Sequence, residues 1–143
     1  MAGSVFIYDI DLNPAGHISG LDKPLGVTVD PDGNIYIGNS GRNNVEVYNA
    51  DGRFKYAIGN IQMPNDIELD RSGNLYIVDS LSNAVKVYTP SGQWLRDIGD
   101  TVDNGDLNFP VAIAIHYNAQ GSGELYVADQ GHYAEKGIDL EST

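Results

Sequence analysis

Short apolar runs recur along this chain on a fixed step, with polar punctuation between them. Tyr8, Tyr48 and Tyr88 lie 40 residues apart, and Val5, Val45 and Val85 keep the same step, as do Ile18, Ile58 and Ile98. The polar positions keep it too: Asp30 and Asp70, Gly33 and Gly73. In 21–60 the runs are 26–30 (GVTVD), 34–38 (NIYIG), 45–48 (VEVY) and 54–58 (FKYAI). In 61–100 they are 66–70 (DIELD), 74–79 (NLYIVD), 85–88 (VKVY) and 94–98 (WLRDI). Short runs rich in Val, Ile and Tyr predict strands. Pro31-Asp32-Gly33 and Ala50-Asp51-Gly52 predict the turns, because Gly takes positive φ and Asp bonds its own backbone there.

A period in this range marks a repeat architecture, and four strands per unit of about 40 residues make one blade of a β-propeller. We name the strands a to d from the channel outward. Strand b is apolar on both faces, as a strand sandwiched between blades should be. Strand c alternates, with Glu46 and Lys86 between valines, which places it nearer the surface. The expected layout is a half blade of strands c and d at 4–20, full blades at 21–60 and 61–100, and a half blade of strands a and b at 107–129. Residues 101–106 read as an insertion and 118–123 as a lengthened a–b hairpin. Residues 130–143 contain no run like VEVY and read as a tail.

That layout amounts to three blade equivalents, and propellers use four to eight. Open blade faces and unpaired strand edges invite association. The sequence therefore predicts a homodimer formed by strand exchange between chain ends. The c–d pair of one copy would join the a–b pair of the other, giving six blades under two-fold symmetry, the commonest closed arrangement.

Composition narrows the chemistry. With 8 Lys+Arg against 20 Asp+Glu the formal net charge is −12. Phosphate backbones are bound through Lys and Arg, so nucleic acid is not an expected partner. There is no cysteine, hence no disulfide framework or thiolate metal site. No apolar run is long enough to span a membrane. Met1–Ser4 lacks the basic and apolar regions of a secretory signal, and the compartment is not specified.

The segments 24–37 (PLGVTVDPDGNIYI) and 64–80 (PNDIELDRSGNLYIVDS), with 125–129 (LYVAD) as a partial third copy, resemble the NHL-repeat family of β-propellers. The resemblance implies a six-bladed ring. It describes turns and core, and function is not fixed by fold. Family members serve as interaction platforms, sensors, RNA binders and the scaffolds of amidating lyases.

One pair stands out as candidate chemistry. Asn65 and Asp66 open a channel-side strand where the other repeats carry Leu25-Gly26 and Val111-Ala112. The pair is similar to the Asn-Asp before a channel strand in gluconolactonase-like propellers. Their oxygens are hard ligands of the kind Ca²⁺ or Mg²⁺ takes, and Asp66 is the candidate metal ligand. The competing expectation is that Asp66 satisfies backbone amides. The run 30–34 (DPDGN) is a β-turn rather than a Ca²⁺ loop, since its glycine comes too early and no Glu stands twelfth. Asp79 and Asp129 are expected to bond turn amides, His116 to sit on turn surface, and Trp94 and the tyrosines to pack in the core. His17, His116 and His132 form no zinc motif. No catalytic residue is assigned. The leading reading is a non-catalytic binding or scaffold module taking a protein or a small polar ligand. The alternative is a metal-dependent hydrolase or lyase, lactonase-like or amidating-lyase-like, with its site at the channel mouth.

Overall fold

The a–b turns at 30–34 and 70–74 are each fastened by one aspartate, and the turn at 118–122 by Asn118. Asp30 Oδ1 accepts the amides of Asp32 and Asn34, both at 2.9 Å, while Oδ2 accepts the Asn34 amide group and the Tyr36 hydroxyl. Asp70 repeats the arrangement with Ser72, Asn74 and Tyr76. Gly33 and Gly73 complete the turns at φ 87° and 86°, values that a side chain would strain. The run 30–34 is thus the structural turn the sequence predicts.

The computed structural model describes residues 2–99 and 106–131 and the backbone of 134–139. The described chain is all-β apart from two 3₁₀ turns. β1 (Gly3–Tyr8) and β2 (Pro14–Leu21) form a hairpin. β3 (Pro24–Val29), β4 (Ile35–Asn39), β5 (Asn44–Tyr48) and β6 (Phe54–Gly59) form an antiparallel four-stranded sheet, blade 1. β7 (Pro64–Leu69), β8 (Leu75–Asp79), β9 (Ala84–Tyr88) and β10 (Trp94–Ile98) form blade 2. β11 (Pro110–Tyr117), β12 (Gly123–Asp129) and β13 (Ala134–Asp139) form a third sheet, blade 3. The 3₁₀ turns Ser40–Arg42 and Ser80–Ser82 carry strand b into strand c. Each ends on an asparagine in the left-handed region, Asn43 at φ 56° and Asn83 at 55°, a conformation Asn tolerates better than most residues.

Three apolar clusters lie between successive sheets; two are copies of one another and the third is a partial copy. Between blades 1 and 2, Tyr36, Val45, Val47 and Ile58 meet Ile61, Ile67, Leu75 and Ile77. Between blades 2 and 3, Tyr76, Val85, Val87 and Ile98 meet Leu107, Ile113, Leu125 and Val127. Between the β1–β2 hairpin and blade 1, Val5, Ile18 and Leu21 meet Ile35 and Ile37. Strand b is buried along its whole length in both full blades, as its two apolar faces require.

Four expectations change. Residues 130–143 are not all tail: β13 pairs with β12, Tyr126 opposite Gly137 and Val127 opposite Lys136. This strand has no alternating pattern to betray it; backbone pairing along the open edge of β12 forms it. Glu46 is buried, not near the surface, because three donors surround it. Trp94 is 60% exposed and Tyr8 and Tyr126 are exposed as well, so these aromatics lie outside the core. His116 lies on β11, with Nδ1 3.1 Å from Glu124, because this strand runs two residues further than its counterparts. The insertion at 101–106 falls almost wholly outside the described residues, as does His132.

Candidate functional site

The a strands β3, β7 and β11 lie side by side. They approach closely at Gly26, where an added Cβ would stand 2.9 Å from the Asp66 Cα. Position 26 therefore needs glycine. Asp66, in the same place on β7, turns its carboxylate to backbone. Oδ1 accepts the Ile67 amide and Oδ2 accepts the Ile113 amide of β11, each at 2.9 Å. The Asn65 amide group donates to Ser80 Oγ at 2.7 Å, and Ser80 in turn donates to the Pro110 carbonyl. The two candidate residues are thus brought together and tie blade 2 to the start of β11.

A third residue joins them that the sequence reading missed. Glu68 lies two residues beyond Asp66 on the same strand, so both face one side. Burial and the neighbouring Asp66 charge raise the Glu68 carboxyl above its ordinary value. The period of two along β7 was the available signal. Carboxylates sharing one face suit a hard cation. Among the described residues no three His, Cys, Asp or Glu side chains gather at metal-binding spacing.

The ends of the b strands carry a second set of polar groups. In blade 1, Asn39 Oδ1 accepts the Asp22 amide at 2.7 Å and its amide group donates to Glu46 at 3.0 Å. Glu46 also accepts from Arg42 at 3.1 Å and Tyr48 at 2.6 Å. Arg42 continues to the Gly20 carbonyl. In blade 2, Asp79 accepts the Gln62 and Met63 amides at 2.9 Å, Ser82 at 2.8 Å and Lys86 at 2.9 Å. Lys86 continues to the Asn60 carbonyl at 2.8 Å. In blade 3, Asp129 accepts the Asn108 amide. Asp79 and Asp129 therefore bond amides of the segments that lead into strand a. Burial pushes the Asp79 and Glu46 carboxyls up, but donated hydrogen bonds and the adjacent cations outweigh it and hold both below their ordinary values.

Residues 21–48 match the model of the NHL repeat. No curated protein matches the sequence. Among solved structures, a luciferin-regenerating enzyme superposes with a TM-score of 0.69 at 16% identity, over 91% of this chain and 45% of that one. A gluconolactonase from Xanthomonas campestris gives 0.67 at 20% identity, over 88% and 41%. A streptogramin B lyase gives 0.53 at 14% identity, over 82% and 40%. The chain spans less than half the length of each. Likeness at such identity concerns the fold, and the blades fastened by Asp30 and Asp70 are its repeating element. Residues 21–48 thus match an NHL repeat, and the described chain has the fold of these β-propellers.

Proposed function

We propose that this chain forms half of a six-bladed ring closed by a second copy, and that the ring acts as a metal-dependent hydrolase or lyase at its channel. The assembly rests on the end faces. Tyr36 and Tyr76 are 5% and 3% exposed because Ile67 and Ile113 of the next blade cover them. Tyr126, their counterpart in blade 3, is 36% exposed, and Val27, the counterpart of Ile67, is 48% exposed. Each end therefore presents half of an interface that the interior contains twice. Seating Tyr126 of one copy on Val27 of the other buries both apolar faces and closes the ring under a two-fold axis. β13 stands on the edge of β12 that β1 of the second copy would take, so closure requires β13 to leave. Further blades of the same protein are the other possible occupant. The mass of the 143-residue chain in solution decides between them. A dimer that dissociates in Tyr126→Asp and Val27→Asp supports closure by a second copy. A folded monomer at low micromolar concentration defeats it.

The catalytic reading rests on Asp66 and Glu68 together on the innermost strand of blade 2. Three neighbours in fold are enzymes by name, a gluconolactonase, a streptogramin B lyase and a luciferin-regenerating enzyme. Asp66 and Glu68 would hold Ca²⁺ or Mg²⁺, with Asn65 beside them, and a second copy would add a further pair across the channel. A bound cation polarises a carbonyl and acidifies its water. Bound metal measured on the purified protein, a Ca²⁺-dependent thermal shift and hydrolysis of a lactone panel test this reading. Asp66→Ala should remove the shift and the turnover. Equal metal content and equal shift in that variant would end it. One observation favours a second reading, a non-catalytic binding module: both Asp66 oxygens already accept backbone amides. A folded dimer with neither metal nor turnover would support that one.

A further inference from the structure

Asp70 follows the far end of β7 from Asn65 and Asp66, and there blades 2 and 3 border a cleft of about 210 Å³. Its walls include Asp70, Arg71, Asn74, Tyr76, Arg96 and Tyr117. Arg96 holds the place that Tyr56 holds one repeat earlier. Tyr56 is satisfied by the protein itself, its hydroxyl donating to the Pro90 carbonyl at 2.6 Å. Arg96 is not. Its Nε is buried without a partner, and among the described residues the guanidinium has neither hydrogen bond nor ion pair. A buried donor left unpaired is costly, more so on a charged group.

The opposite wall is already fixed. The Arg71 guanidinium lies 4.0 Å over the Tyr117 ring and donates to the Gly121 carbonyl. The Tyr117 hydroxyl accepts the Arg71 amide at 2.9 Å. Asp70, the acidic group in this lining, is engaged by the Ser72 and Asn74 amides, the Asn74 side chain and the Tyr76 hydroxyl. It forms no ion pair with either arginine. Two of the chain's 8 Lys+Arg thus converge on one cleft of a protein with net charge −12.

We propose that this cleft is a binding site for a small carboxylate. The two terminal Nη donors of Arg96 take its two oxygens side by side, an arrangement a planar guanidinium fork offers a carboxylate. Arg71, held flat on Tyr117, supplies the second positive charge. The site is separate from Asn65 and Asp66 and does not depend on the catalytic reading.

The test is a ¹H–¹⁵N titration of the 143-residue chain with sodium succinate, against sodium chloride at equal ionic strength. Saturable shifts are expected at the Arg96 Nε–H and at the amides of Ser72, Asn74 and Gly121. Arg96→Gln should weaken binding at least tenfold, and Arg96→Lys, which keeps the charge without the fork, by less. Arg53→Gln, an exposed arginine elsewhere, should leave it unchanged. An acidic peptide compared with its Gln-substituted form tells a side-chain carboxylate from a free one. Saturation at lower concentration than succinate assigns the ligand to a peptide, and weaker binding assigns it to a free acid. Shifts reproduced by chloride, or equal affinity in a natively folded Arg96→Gln, would overturn the proposal. If Arg96→Gln does not fold, Arg96→Lys and Arg71→Lys decide it by the same criterion.

Discussion

Blades 1 and 2 fasten the same joint with opposite wiring. In blade 1 the acid is Glu46 on strand c and the base is Arg42 on the 3₁₀ turn. In blade 2 the acid is Asp79 at the end of strand b and the base is Lys86 on strand c. Strand c carries the acid in one repeat and the base in the other, and the partner comes from a different position. The outcome is nevertheless the same. Residue 39 or 79 takes the amide at 22 or 62, and the cation reaches the carbonyl at 20 or 60. The repeat preserves a neutral, fully bonded joint rather than particular residues, as buried polar groups demand. A change that looks like a harmless borrowing from the neighbouring blade would leave one charge without its partner.

The largest test of this comparison is Asp79→Ala. It strands Lys86, a largely buried cation, and two amides at once, and unfolding in urea should show a loss of about 3–5 kcal/mol. Lys86→Glu alone should cost a comparable amount by placing a second acid against Asp79. Rewiring blade 2 as blade 1, with Asp79→Asn, Lys86→Glu and Ser82→Arg together, should recover most of that loss. A triple variant no more stable than Lys86→Glu would refute the equivalence of the two joints. Glu46→Gln should cost less, about 1–2 kcal/mol, because its partner Arg42 is half exposed and solvent screens it.

Acid should weaken both joints. The Asp79 and Glu46 carboxyls are held below their ordinary values of 3.8 and 4.5. Their stabilisation is therefore complete above those values and lost as pH falls through the lower folded ones. The urea midpoint should stay level from neutral pH to about 5 and then drop, and Glu46→Gln should remove part of the drop. The smallest effect has the opposite sign. The Glu68 carboxyl is raised, so its charged form opposes folding above its ordinary value of 4.5. Glu68→Gln should gain less than about 1 kcal/mol at pH 7, and added Ca²⁺ should erase the gain if Glu68 holds a cation.

The blade plan was legible because strands and turns repeat on one step, and the Asp-x-x-Gly-Asn turn carries its own chemistry. What escaped notice depends on side-chain and backbone contacts that leave no mark in the repeat pattern. Glu46 between two valines reads as a surface residue until Asn39, Arg42 and Tyr48 close around it. β13 has no pattern of its own. Arg96 is informative only beside Tyr56, as a place where the repeat is broken. Of the candidate site, Asn65 and Asp66 were legible as a departure from the apolar residues in the other repeats. Their bonds to Ser80 and to the Ile113 amide were not, since β11 begins more than 40 residues later.

The Ile113 amide donates to a carboxylate in another blade, not to a strand beside it within its own sheet. Its exchange with deuterated solvent is therefore slowed by contact between blades 2 and 3. In an array where each unit touches only its neighbours, such contacts set where the stack opens first. This single amide acts as a latch sensor. Were blade 3 to swing away while every sheet stayed intact, Ile113 would lose protection while the amides of β8 kept theirs.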